Sequence, residues 1–95
     1  MTRIILLTQA SCVSCEQAKI ALARLALEFP LEVEEIPLGS ETGRALALRH
    51  AVAFAPGVLV DGALFSYGRL PEKKLRHQLS QLVKMTGAAR TGASE

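Results

Sequence analysis

Cys12-Val13-Ser14-Cys15 holds the only two cysteines of the chain, three residues apart. Two thiols at that spacing can close into a disulfide or open into a dithiol, and the same spacing also serves as half of a metal site. The pair follows a short aliphatic run, Ile4-Ile5-Leu6-Leu7, and precedes a stretch of helical periodicity. Only a thiolate attacks a disulfide, and a free cysteine with a pKa of about 8.5 is mostly thiol at neutral pH. The first turn of a helix carries N–H groups without intrahelical partners and the positive end of the macrodipole, so a sulfur anion placed there is stabilised. Cys12 is nearest those groups and is the candidate nucleophile. Cys15 falls one turn in on the same face, is more covered, and is the candidate resolving thiol that breaks a mixed disulfide.

The elements that must position this pair read in order along the chain. Ile4 to Leu7 is a buried strand, apolar on both faces. Thr8 to Ser11 turns the chain, with Ser11 as the expected N-cap. From Cys12 to about Phe29, Cys15, Ala18, Leu22, Leu25 and Phe29 form one helical stripe, with Ala21 and Ala26 beside it, and Pro30 stops the helix. Leu31 to Ile36 is a second strand, and Pro37 ends it or marks a sheet edge. Ser40 caps a second helix running to His50 or Val52, its apolar face built from Ala45, Leu46, Leu48, Ala51 and Val52. Val58-Leu59-Val60, Asp61-Gly62 and Ala63-Leu64-Phe65 read as a tight hairpin, because Asp-Gly suits a turn with positive φ at both central positions. Pro71 suits the first position of a last helix with Leu75, Leu79, Leu82 and Val83 on its stripe, and Gly87 is its expected cap. Residues 1–87 are expected to form one domain and residues 88–95 a flexible tail.

Bulk properties narrow the function. Ninety-five residues, 49% of them hydrophobic, suffice for one small core. The net charge of +2 is scattered and there is no Trp, which argues against nucleic acid. No apolar run approaches the roughly 20 residues that span a bilayer, and Ile4 to Leu7 is too short for a signal-peptide core. A cytoplasmic location is therefore expected. In that reducing compartment a lone cysteine pair points to catalysis, redox sensing or metal binding rather than to a structural bridge.

The order β-α-β-α-β-β-α with Cys-x-x-Cys at the first strand–helix junction resembles the thioredoxin fold in its glutaredoxin-sized form. The resemblance spans about residues 3–86. It rests on Cys12-Val13-Ser14-Cys15, on Ala55-Pro56 before the third strand, and on Val60-Asp61-Gly62 followed by Gly68-Arg69-Leu70-Pro71. The last two stretches look most like small redox-active disulfide proteins of bacteria and archaea. The resemblance implies an α/β domain with a four-stranded mixed sheet of order 2-1-3-4 flanked by helices. It implies a cis peptide before Pro56 facing the disulfide. It also implies a substrate that pairs with the backbone of Ala55 and meets Pro56, Val13 and Ser14. Val13-Ser14 is neither the Gly-Pro of thioredoxins nor the Pro-Tyr of glutaredoxins. The thioredoxins' active-site tryptophan and buried carboxylate are absent too, so a modest lowering of the Cys12 pKa is expected, from the helix terminus and the Ser14 hydroxyl.

The favoured function is that of a thiol–disulfide oxidoreductase acting on disulfides of proteins or small thiol compounds. Its partner would be a thioredoxin-reductase-type reductant. It is expected to be a monomer with no cofactor beyond its own disulfide. Glutathione dependence is less favoured, because Ser66-Tyr67-Gly68-Arg69 replaces the Gly-Gly and acidic pair typical of glutaredoxins, although Arg69 offers a carboxylate partner. The alternative class is a metal- or cluster-binding protein, for which His50 and His77 are the only other soft ligands.

Overall fold

The computed structural model describes residues 1–86; the expected cap at Gly87 and the tail at 88–95 lie outside them. The aliphatic run sits in β1 (Thr2–Thr8), the inner strand that runs parallel to β2 (Leu31–Pro37) and antiparallel to β3 (Gly57–Val60). β4 (Ala63–Tyr67) pairs antiparallel with β3, which completes the expected order β2-β1-β3-β4. Because side chains alternate across a strand, β1 feeds two cores. Ile4 and Leu6 join Val58 and Val60 on one face, and Leu7 joins Ile36 and Val52 on the other. The hairpin turns at Asp61 (φ 48°) and Gly62 (φ 86°), as the Asp-Gly pair requires. Asp61 is also tied to β1: its side chain accepts the Arg3 N–H at 2.9 Å and its own N–H donates to the Arg3 carbonyl at 2.8 Å.

Helix α1 (Val13–Ala26) buries Cys15, Ala18, Ala21, Leu22 and Leu25 on the first face. It ends three residues before the expected Phe29, and Ala26 is exposed. The residue before a proline is disfavoured in helical geometry. The amides of Leu27, Glu28 and Phe29 fold back onto the carbonyls of Arg24 and Leu25, and Phe29 still packs on the core.

Helix α2 (Glu41–His50) covers the other face. Ser40 caps it as expected, its hydroxyl accepting the Gly43 N–H at 3.0 Å and donating to the Pro37 carbonyl at 2.7 Å. The inward face differs from the expected one: it is Gly43, Leu46 and Ala47, while Ala45 is exposed and Leu48 is 85% exposed. Gly43 fixes this rotation, because it lies directly against the Pro37 carbonyl and carries the residues three and four positions on inward with it. A Cβ at position 43 would run into that carbonyl, so Gly43→Ala is expected to destabilise the chain by about 1–3 kcal/mol, although the same change in an open helix is stabilising. Urea titration of the two proteins measures the sign. The helix ends at Ala51 in left-handed geometry (φ 56°). The Val52 N–H reaches the Ala47 carbonyl at 2.9 Å, and Val52 itself packs with Leu7 and Ile36.

Helix α3 (Glu72–Thr86) lies beside α1 and buries Leu75 and Leu79 in the first core. Pro71 stands one position before the helix rather than inside it. Its carbonyl accepts the Leu75 N–H at 3.0 Å, so it supplies the first helical acceptor. Two ion pairs tie α3 to α1 and the turn that follows it: Arg24 to Glu72 at 2.6 Å, and Arg76 to Glu28, two residues beyond the end of α1, at 2.8 Å. The guanidinium hydrogen bonds from Arg24 and Arg76 hold Glu72 and Glu28, respectively, below the usual carboxylate range. Their contribution is therefore complete above the unfolded carboxylate pKa and is lost as pH falls through the lowered folded values. Below about pH 4.5 the urea midpoint of the wild type should drop more steeply than that of a Glu28→Gln/Glu72→Gln variant; parallel curves would exclude the effect. Among the described residues no helix is long and apolar enough to cross a membrane.

Candidate active site

The turn after β1 delivers the cysteines to the start of α1. Ser11 adopts a left-handed conformation (φ 53°) and does not cap the helix. Cys12 does: it is the last extended residue (φ −112°, ψ 105°), and its Sγ accepts the Cys15 N–H at 3.1 Å. Its carbonyl accepts the Glu16 N–H at 3.2 Å. The left-handed turn at Ser11 moves the cap one residue on, so the capping atom is the sulfur rather than a hydroxyl. A peptide N–H at the positive end of a helix thus points at the Cys12 sulfur.

The two cysteines form a disulfide with their Cα atoms 5.2 Å apart. They are unequal in access: Cys12 is partly exposed and Cys15 is 1% exposed. Between them Val13 is 73% exposed and Ser14 partly buried. Lys19, one turn further along, is held by Glu16 at 3.0 Å and Glu35 at 3.5 Å.

The sheet register brings the proline loop to the same end. Leu7 near the end of β1 pairs with Gly57 at the start of β3, so Ala55 and Pro56 lie where the chain leaves β1 for Cys12. The Ala55–Pro56 peptide is cis, and both residues are buried. Among the described residues, none hydrogen-bonds to the amide or carbonyl of Ala55. The Pro56 carbonyl accepts the N–H of Gly68 at 2.7 Å, which joins the proline loop to the segment entering α3. Gly68 needs its lack of a side chain twice over, for φ 84° and because a Cβ would press on the Phe54 ring at 3.1 Å.

Sequence reasoning missed the aromatic pair beside this loop. Phe54 and Tyr67 meet edge to face with centroids 5.3 Å apart, and both are substantially exposed. The signal was present in the hairpin: strands that turn at Asp61-Gly62 return residues 66 and 67 to the level of Gly57. A bulge between Val58 and Leu59 then sets Tyr67, not Ser66, opposite Gly57. The histidines do not join the cysteines. His50 closes α2, His77 is exposed on α3, and among the described residues no three of His, Cys, Asp or Glu gather around a point where a metal ion would sit.

No protein-family model matches the sequence, and no curated protein matches it. Solved structures do match its fold. A mutant thioredoxin from Halobacterium salinarum superposes with a TM-score of 0.65 at 19% identity, over 84% of this chain and 73% of the other. A thioredoxin-like protein from Clostridium perfringens gives 0.70 at 18% identity, over 86% and 71%. Glutaredoxin 1 from Francisella tularensis gives 0.55 at 13% identity, over 88% and 99%. The chain is thus similar in fold to thioredoxins and thioredoxin-like proteins, with a Cys-x-x-Cys pair at the start of its first helix.

Proposed function

We propose that this thioredoxin-fold chain is a thiol–disulfide oxidoreductase in which Cys12 attacks and Cys15 resolves. The observation that carries this reading is the inequality of the two sulfurs: Cys12 is reachable and faces a helix-terminal N–H, whereas Cys15 is covered. In the reduced chain the Cys12 thiolate attacks a substrate disulfide. A Cys12–substrate disulfide forms and one substrate thiolate leaves. Cys15 then gives up its proton and attacks the Cys12 sulfur, so the second substrate thiol departs and the Cys12–Cys15 disulfide closes. The substrate gains two electrons and two protons, which the chain loses and a dithiol reductant restores.

The free amide and carbonyl of Ala55 support backbone pairing with an extended substrate beside Pro56. Val13, exposed, and Ser14, partly buried, form the rim that such a segment crosses. Disulfides of proteins or small thiol compounds are the substrates in this reading, and a thioredoxin-reductase-type system is the reductant.

The test uses the chemically reduced chain and a neutral substrate, 2-hydroxyethyl disulfide. Exchange should consume two chain thiols for each disulfide reduced, and turnover should continue with a thioredoxin-reductase-type system but not with glutathione. Absence of exchange by the reduced chain sinks the proposal, and turnover with glutathione alone reassigns the reductant. Stoichiometric metal in protein purified under reducing conditions would favour the binding class instead.

A further inference from the structure

Beside the cysteine pair, an open cleft of about 750 Å³ runs between α1 and the start of α3. Ser14, from within the cysteine motif, forms part of its wall, so the cleft is continuous with the site described above. Its charged lining is unbalanced: Arg24, Arg69, Lys73 and Lys74 face a single carboxylate, Glu72. That carboxylate is already engaged by Arg24 at 2.6 Å and Arg76 at 3.6 Å. Arg69, Lys73 and Lys74 are exposed and pair with no described residue. Several of the chain's carboxylates are engaged elsewhere, Glu16 and Glu35 with Lys19 and Glu34 with Arg3. Three unpaired cations around a concave surface concentrate anions there and speed the encounter with them.

We propose that this cleft receives an acidic segment of the substrate protein, flanking the cysteine that Cys12 attacks. The proposal rests on the oxidoreductase reading and adds a substrate class to it. A cleft of this volume takes a few residues of extended chain, and Ser14 links them to the sulfur. Aspartate and glutamate side chains complement the free cations. A basic segment meets the same three charges as repulsion, so the cleft discriminates as well as attracts.

The test compares two disulfide peptides identical except for acidic or lysine-rich flanks, with 2-hydroxyethyl disulfide as the uncharged reference. At an ionic strength of about 20 mM the reduced wild type should react about 10-fold faster with the acidic peptide than with the basic one, and the ratio should fall towards unity at about 0.5 M salt. Lys73→Glu/Lys74→Glu should abolish or invert the preference. The exchange puts acidic residues in the first turn of a helix, where they suit the dipole, so folding is not threatened. Arg49→Glu/Lys84→Glu makes the same change in net charge at exposed positions outside the cleft and should alter the ratio by less than about twofold. Equal rates for the two peptides in a wild type that reduces the neutral disulfide would overturn the cleft proposal alone. So would an equal effect of the two double variants. Failure with the neutral disulfide would overturn the underlying reading, and this one with it.

Discussion

Cys12→Ser should abolish disulfide exchange, with a loss of at least about 1,000-fold, while Cys15→Ser should accumulate a mixed disulfide at position 12. The direction follows from the geometry of one turn of backbone. The Cys12 sulfur stands partly exposed at the head of α1 and accepts the Cys15 N–H, so it is both reachable and favoured as an anion. The Cys15 sulfur, almost fully covered, reaches only what is already attached to its neighbour. Mass spectrometry of each variant after incubation with an excess of peptide disulfide reads the outcome directly. In the reduced wild type, alkylation should label Cys12 and spare Cys15 until the chain unfolds. A stable adduct on Cys15 in the Cys12→Ser protein would reverse the two roles.

Leu75→Ala should cost about 3–5 kcal/mol, against a total stability of about 5–15 kcal/mol for a domain of this kind. Leu75 is fully buried, in one core with Leu22, Leu25 and Leu79. No strand pairing holds α3 in place, so its stripe of leucines carries the attachment, assisted by ion pairs exposed enough to count for little. Truncation leaves a cavity that backbone hydrogen bonds cannot close. Leu48→Ala, by contrast, should change stability by no more than about 0.5 kcal/mol, because that side chain is 85% exposed. Urea unfolding of the pair tests the packing of both helices: comparable losses would contradict the orientation of α2.

The elements with strong periodicity were legible in the sequence. The aliphatic run of β1, the leucine stripe of α3 and the Asp61-Gly62 turn each obey a rule that acts over a few residues. The Ser40 cap was legible for the same reason. The failures share a different cause. The face of α2 is decided by one contact, Gly43 against the Pro37 carbonyl, between residues on two elements, and a helix rich in alanine gives its apolar residues too little contrast to reveal the rotation. The cap at Cys12 depends on a left-handed Ser11, which no composition rule demands. In the site, the cysteines stood out through their type and spacing, and Ala55-Pro56 through the resemblance to the thioredoxin fold. Phe54 and Tyr67 did not, because a bulge in the hairpin sets their meeting, and the charged cleft arises only when α1 and α3 lie side by side.

The alternation of charges across the α1–α3 contact has a consequence for how the two helices find each other. Arg24 meets Glu72 and Glu28 meets Arg76, so α1 with the turn that follows it, and α3, each offer one charge of each sign, in opposite order, four residues apart. Sliding α3 along α1 by a single turn, about 5.4 Å, would set Arg24 against Arg76, and sliding it the other way would set Glu28 against Glu72. A row of leucines tolerates such slippage, but this checkerboard does not. The tetrad therefore adds to the leucine packing in favouring one alignment, and in that alignment Lys73 and Lys74 line the same cleft as Ser14.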